Sequence, residues 1–193
     1  MKKCALLALL VLGTPACGLL GNECGRNNPA TYYDVQGADV GLSRQPTDRP
    51  WEVAAAGATV SSRELRLRAS LKERHYTSQP SLGLMSAAYA CSPVPAGSLG
   101  STERMDSISI TSAYAYDAAH PAGTPLNDVL EAPAWPQWPQ QPSRRTPQEP
   151  LRFVEFSFKV PPIAAGPQKF RLYYHQTNGE VYTAETTEIT VLR

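Results

Sequence analysis

The chain is poor in charged residues and has no excess of either sign. Charged side chains make up 18% of its 193 residues, below the quarter that is typical of globular proteins. Lysine and arginine total 18 against 17 acidic residues, so the formal net charge is +1. Because binding to a phosphate backbone requires a basic face, this balance argues against nucleic acid as a partner.

The short motifs that carry common chemistries are missing as well. The sequence contains no glycine-rich phosphate loop, no Cys-x-x-Cys pair, no His-Glu-x-x-His and no EF-hand pattern. The Gly-x-Ser-x-Gly elbow of serine hydrolases is also absent. We therefore predict a non-enzymatic binding or structural module with no catalytic residues, no cofactor and no metal.

A membrane-spanning helix needs about 20 apolar residues, and no stretch of this chain reaches that length. The apolar run Cys4–Leu12 follows Lys2 and Lys3 and precedes a segment of small residues. A short basic region, a short apolar core and small residues at a cleavage site are typical of a secretory signal. The sequence therefore predicts a signal peptide over residues 1–16 and an exported protein.

Cleavage before Cys17 places Thr14 and Ala16 at the small-residue positions of the site. A cysteine directly after the cut resembles the lipobox of bacterial lipoproteins, in which that thiol is acylated. We predict lipidation of Cys17, a tether over residues 17–30, and attachment to the bacterial outer membrane or cell surface through the acyl chains. The alternative is an ordinary secreted or periplasmic protein in which this cysteine is incidental.

The remaining cysteines of the mature chain are Cys24 and Cys91. In an oxidising compartment such a pair forms a disulfide. Closing a loop this long contributes about 4 kcal/mol in the chain-entropy model. We predict this bond, and two free buried thiols are the alternative.

From residue 31 onward, four stretches alternate apolar and polar residues with a period of two, the pattern of a strand with one buried face. Proline, at 18 residues, is about twice as frequent as usual, and no amphipathic helix is evident. We predict a mainly β, antiparallel β-sandwich with an immunoglobulin-like two-sheet architecture over residues 31–193. The apolar rows are Leu65 to Leu71, Ile108 and Ile110, Val154 to Val160, and Phe170 to Tyr174.

The last two strands have the pattern of a hairpin. Asn178-Gly179 predicts a type I′ turn, since both central residues of that turn need positive φ. The returning strand would present Val181, Ile189 and Val191 on its buried face.

Residues 132–150 contain six prolines and two tryptophans, a composition that favours polyproline II over helix or central strand. That conformation repeats every three residues, so Trp135 and Trp138 would lie on one edge. The two indoles then either stack on a glycan or an envelope protein, or pack onto the sandwich. We favour packing, because large exposed apolar side chains are costly unless they are used.

The three histidines are far apart in sequence, at positions 75, 120 and 175. A secreted hydrolase would use one of them as a general base, oriented by Asp117 or Asp128, with Ser109 or Ser112 as the nucleophile. Nothing in the spacing selects this arrangement over chance, so we expect structural roles.

A calcium-stabilised β module is a further alternative. Asp117, Asn127, Asp128 and Glu131 carry the oxygen ligands that calcium prefers. The same residue types are common in turns and caps, and we favour that role for them.

Four blocks within residues 104–193 carry a resemblance to a known family: Ser107–Glu131, Phe156–Pro162, Phe170–Tyr174 and Gly179–Val191. Together they resemble exported Bacteroidetes-type lipoproteins of unknown function. It implies a β-sandwich on the cell envelope, and it brings no established activity or catalytic residues. The tryptophan and proline segment departs from the family pattern.

Overall fold

The computed structural model describes residues 30–45, 50–77, 95–135, 138 and 148–193. Within these ranges the chain forms eleven strands and no helix, so the predicted mainly β class is confirmed. The strands are β1 Tyr32–Arg44, β2 Glu52–Val53, β3 Thr59–Ser61, β4 Leu65–Tyr76, β5 Met105–Ser112, β6 Leu130–Glu131, β7 Phe153–Phe158, β8 Gly166–Gln168, β9 Phe170–Gln176, β10 Val181–Glu185 and β11 Ile189–Leu192.

Two antiparallel sheets form the body of the sandwich. The first has the order β2-β1-β4-β7-β6 and the second the order β10-β9-β5. With β2 left aside, this is the strand order of a constant-type immunoglobulin domain, four strands against three. Side chains from both sheets form one buried cluster, which confirms the predicted two-sheet sandwich.

A short third sheet, β3-β11-β8, extends the second one. Only Lys169 separates β8 from β9, and β11 follows β10 after three residues, so both strands prolong the same hairpin. β3 pairs with β11 in parallel through Thr59–Thr190. In sequence, β3 lies between β1 and β4, which belong to the first sheet, whereas β3 itself belongs to the extension of the second sheet. The chain from β1 to β4 therefore joins the two layers at the edge where β3 lies.

The predicted inward rows on β4 and β5 lie where the period of two places them, except that Leu71 at the end of the β4 row is only partly buried. Leu65, Leu67 and Ala69 of β4 are buried, and so are Ile108 and Ile110 of β5. Each alternates with a partly exposed residue, as expected for strands with one face on the core.

The row on β7 is shorter than predicted. Val154 and Phe156 are buried, but β7 ends at Phe158, and Val160 beyond it is 46% exposed. Ser157, which the alternation places opposite this row, is buried too, and its hydroxyl donates a hydrogen bond to Glu131 on the neighbouring strand β6.

The predicted inward face of the returning strand is wrong in part. Val181 is 48% exposed, and Tyr182 and Ala184 are the partly buried residues of β10. Ile189 and Val191 are buried as expected, but they belong to the separate strand β11. Residues 186–188 separate β10 from β11 and interrupt the period of two. Val181, Ile189 and Val191 therefore do not lie on one face.

The hairpin between β9 and β10 is confirmed, but its turn begins one residue earlier than predicted. The N–H of Gly179 donates to the carbonyl of Gln176, and the N–H of Gln176 donates to the carbonyl of Glu180. The loop is therefore Thr177–Gly179, a three-residue connection, with Gly179 at φ 92°. A glycine in this left-handed position after a tight turn is the usual form of such loops.

Candidate functional site

Trp135 and Trp138 lie in the core. Their exposed fractions are 5% and 9%, and their ring centroids are 5.2 Å apart. The Trp138 ring also lies 4.8 Å from Phe156 of β7, and its indole N–H donates to the Leu130 carbonyl at 2.9 Å. The packing that we favoured is what the structure has, and the buried indoles offer no open face to a glycan.

The described backbone around Trp135 and Trp138 contains hydrogen bonds that polyproline II lacks. The N–H of Trp135 donates to the Ala132 carbonyl, and the N–H of Trp138 donates to the Trp135 carbonyl. The first of these bonds closes a tight turn over residues 132–135. Trp138 contacts β7 through Phe156, and Trp135 contacts Trp138.

The loop between β5 and β6 holds His120 between two carboxylates. Nδ1 of His120 lies 2.7 Å from Asp117 Oδ1, and Nε2 lies 3.0 Å from Asp128 Oδ1. The imidazole side chain is only 12% exposed. Asp117 also accepts the backbone N–H groups of Ala119 and His120, both at 2.8 Å. We call Asp117, His120 and Asp128 the histidine clip.

The clip favours the imidazolium. Partial burial lowers the pKa of His120, but the hydrogen bonds to Asp117 and Asp128 outweigh it and leave that pKa above its ordinary value. Likewise burial opposes ionisation of Asp117, and the hydrogen bonds from the His120 ring and backbone outweigh it and lower the Asp117 pKa. A histidine with both nitrogens bound by carboxylates has none free to take a proton from a nucleophile.

The serines considered as nucleophiles have other surroundings. Ser112 donates its hydroxyl hydrogen bond to Gln168 Oε1 at 2.7 Å and is buried. Ser109 is paired opposite Tyr173 on the outer side of the second sheet. In the described part of the chain, neither serine hydrogen-bonds to a histidine. Of the other two histidines, His75 lies 3.3 Å from Glu73, which also binds Arg152.

The oxygen atoms considered for calcium are used within the fold. Asn127 accepts the N–H of Ile110 through Oδ1 and donates to the Ile108 carbonyl through Nδ2, so its amide pairs with the edge of β5 as a short strand would. Glu131 accepts the Ser157 hydroxyl. Across the described residues, no group of three or more potential metal ligands is positioned to hold an ion.

A cleft of about 140 Å³ opens beside the end of β5 and the start of β9. Its walls come from β5, β9 and β10, from Lys169 between β8 and β9, and from the β5–β6 loop at Gly123. The side chains that define it are Thr111, Lys169, Arg171, Tyr173 and Glu185. We call it the far-end cleft.

Electrostatically, the cleft combines two cations with one carboxylate. Lys169 Nζ lies 2.5 Å from Glu185 Oε2, and Arg171 binds Glu185 Oε1 through Nε at 2.6 Å and through Nη2. Arg171 also donates to the Tyr173 hydroxyl at 3.2 Å. The hydrogen bonds from Lys169, and then those from Arg171, lower the pKa of Glu185. The charged lining therefore carries a net charge of +1.

The cleft and the start of the domain are at opposite ends of the sandwich. Tyr32, the first residue of β1, pairs with Tyr76, and the Tyr182 hydroxyl near the β9–β10 turn donates to the Val35 carbonyl. The other end of β9, Phe170, pairs with Ser112 at the cleft. The seven residues of β9, at about 3.4 Å each, separate the two ends by about 20 Å.

Sequence reasoning missed this cleft. Lys169, directly before β9, and Arg171 on β9 are two residues apart in the sequence, but two cations at that spacing are ordinary on an exposed surface. Glu185 lies 14 residues beyond Arg171 and meets it only because the β9–β10 register pairs the two residues. The sequence therefore indicates this cluster of charges only if the exact β9–β10 turn, which sets the register, is already known.

The comparisons with known proteins leave the family of this chain open. No protein-family model, no curated protein and no solved structure matches it. Among the residues that the structure describes, no helix is long and apolar enough to cross a membrane. The predicted signal peptide, the lipidated Cys17 and the Cys24–Cys91 pair all lie outside the described residues.

Proposed function

We propose that this protein is an exported, envelope-anchored lipoprotein that acts as a non-enzymatic binding module. The N-terminal sequence supports the export and the anchor: a basic start, a short apolar core, and Cys17 after small residues. The confirmed immunoglobulin-like sandwich supports the binding role, because such domains carry function on the loops at their ends. The resemblance to Bacteroidetes-type exported lipoproteins agrees with both.

The observation that carries the proposal is the position of the cleft relative to the chain entry. The tether over residues 17–30 leads directly into β1 at Tyr32, and the far-end cleft lies at the other end of the sandwich. A domain held to a membrane through that tether presents the cleft about 20 Å away from the anchored end. The aqueous phase then has free access to it.

The histidine clip supports a role without catalysis. Its imidazole is bound on both sides, and such an arrangement stabilises a loop rather than activating a hydroxyl. Because a hydrolase needs a base that reaches its nucleophile, we place this alternative second.

The intact mass of the native protein from fractionated cells tests the anchor. We expect a membrane-fraction protein whose mass begins at Cys17, carries acyl chains, and increases by two hydrogens on reduction as the Cys24–Cys91 bond opens. Cys17→Ser is expected to leave the membrane fraction, and Cys4→Ser serves as the matched control that stays in it. A native chain without acyl groups in the soluble fraction would contradict the anchor.

A further inference from the structure

The geometry points to an acidic saccharide as the ligand of the far-end cleft, bound through a ring carboxylate by Lys169 and Arg171. This inference rests on the proposed binding function and names its ligand class. Nucleic acid, an apolar ligand and an extended peptide are disfavoured by the shape and lining of the cleft.

The donors in the cleft exceed the acceptors that the protein supplies. A lysine ammonium has three N–H donors and an arginine guanidinium has five. Their acceptors here are the two oxygens of Glu185 and the hydroxyl of Tyr173. Donors therefore remain for a second carboxylate, which would also neutralise the net charge of +1. Arginine is well suited to this, because its planar fork matches a carboxylate.

The same groups are accessible to a ligand. The side chains of Lys169, Arg171 and Glu185 are 38%, 50% and 35% exposed. Gly123 on the opposite wall has no side chain, and no atom lies within 4 Å of the position that a Cβ there would occupy. The cleft is therefore open on that side. A ligand thus reaches both cations without displacing part of the fold.

The remaining lining suits a hydroxylated ring better than a peptide or a lipid. Glu185 can accept hydrogen bonds from ring hydroxyls, and the half-buried Tyr173 offers an amphipathic aromatic surface beside it. The one large apolar side chain of the lining, Phe170, is fully buried and offers no apolar floor. A volume of about 140 Å³ accommodates a compact polar group and not a run of extended backbone.

Binding of two matched sugars to the full-length protein in detergent tests this inference. The probes are tri-galacturonic acid and the neutral galactose trimer, which share a ring and differ in the carboxylate. We expect calorimetric binding of the acidic trimer, weakening as salt is raised, and none of the neutral one. Equal binding of both trimers, or binding of neither, would overturn the inference.

Variants locate the site. Arg171→Gln and Lys169→Gln are each expected to weaken binding of the acidic trimer about tenfold or more, the usual effect of losing a hydrogen bond to a charged group. Ala113→Leu, which narrows the cleft without removing a charge, is expected to weaken it too. Lys72→Gln is the matched control, because Lys72 is an exposed lysine that pairs with Asp39 in the other sheet. An equal loss in Lys72→Gln would show general charge attraction and contradict the cleft.

Two further probes separate the sources of the carboxylate. Acetate at matched carboxylate concentration, or an acidic hexapeptide, binding as tightly as the acidic trimer would overturn the saccharide assignment. Unlike the mass measurement, these titrations do not depend on anchoring. If the protein is lipidated but does not bind acidic sugars, only this inference fails. If it is not lipidated but binds them, only the proposed anchor fails.

Discussion

Two irregular connections of this sandwich are stabilised in opposite ways. The connection that follows β6 buries the indoles of Trp135 and Trp138, which contact each other, and Trp138 also contacts Phe156 of β7. The loop between β5 and β6 keeps most of its polar groups near the surface and is tied by the histidine clip and by Asn127. One connection depends on apolar burial and the other on hydrogen bonds and charge.

The two kinds of stabilisation differ in the free energy that they contribute and in how far that free energy depends on pH. Burial of a large aromatic side chain contributes several kcal/mol and does not depend on pH. A net hydrogen bond contributes about 1 kcal/mol, and a partly exposed ion pair less. Trp135 and Trp138 are therefore expected to be permanent parts of the core. The clipped loop, which carries Gly123 of the cleft wall, is expected to respond to its surroundings.

The largest effect is expected from Trp138→Ala. Removing a buried indole that contacts Trp135 and Phe156 leaves a cavity and an unpaired Leu130 carbonyl. The free energy of unfolding should fall by about 3–5 kcal/mol, measured by denaturant unfolding. Trp51→Ala is the matched control, since Trp51 is only partly buried and lies beneath Arg66 and Arg68. An equal loss of stability in the two variants would contradict the idea that burial of Trp138 stabilises this connection.

An intermediate effect is expected from Asn127→Ala. It leaves the Ile110 N–H and the Ile108 carbonyl at the β5 edge without the Asn127 amide. Stability should fall by about 1–3 kcal/mol in the same denaturant titration. Asn127→Asp keeps the acceptor for the Ile110 N–H but turns an oxygen towards the Ile108 carbonyl, so it should also lower stability. If Asp is tolerated without loss, the amide does not pair with both groups as a strand would.

The smallest effect, and the only one of the three that depends on pH, is expected from His120→Gln. In the folded protein the pKa of His120 lies above its ordinary value of 6.5. Its contribution to the free energy of unfolding is therefore complete below pH 6.5 and is lost as pH rises through the folded pKa. Asp117 has a folded pKa below its ordinary 3.8, so its contribution is complete above that value and is lost as pH falls. The clip is thus most stabilising between about pH 4 and pH 6.5.

Melting temperatures across the pH range check this expectation. The difference between wild type and His120→Gln should be largest between these limits and shrink above neutral pH. His175→Gln is the control whose difference should not follow that profile. A His120→Gln difference that stays constant from pH 4 to pH 9 would show that the clip is not ionic.

The sequence alone predicts much of the fold, because local periodicity is a direct consequence of strand geometry. The buried rows Leu65 to Ala69, Ile108 to Ile110 and Phe170 to Tyr174 follow from side chains that alternate across a strand. The hairpin before Val181 follows from a glycine that tolerates positive φ. The burial of Trp135 and Trp138 follows from their size.

Other features depend on contacts between distant residues. Val160 is exposed because β7 ends at Phe158, and Ser157 is buried beside β6, where Glu131 accepts its hydroxyl hydrogen bond. The turn of the last hairpin differs by one residue, since the hydrogen bond from Gly179 to Gln176 competes with the type I′ alternative.

The sequence by itself determined the strand class and most of the inward rows, because each depends on residues close together in the chain. The signal peptide and the lipid anchor depend on equally local patterns and stay predictions. Tertiary structure decided the histidine clip and the cleft. Asp128 reaches His120, and Glu185 reaches Lys169 and Arg171, only after loop path and strand register bring them together. Hydrogen bonds and ion pairs need correct geometry within a few tenths of an ångström, and no local pattern in the sequence specifies it.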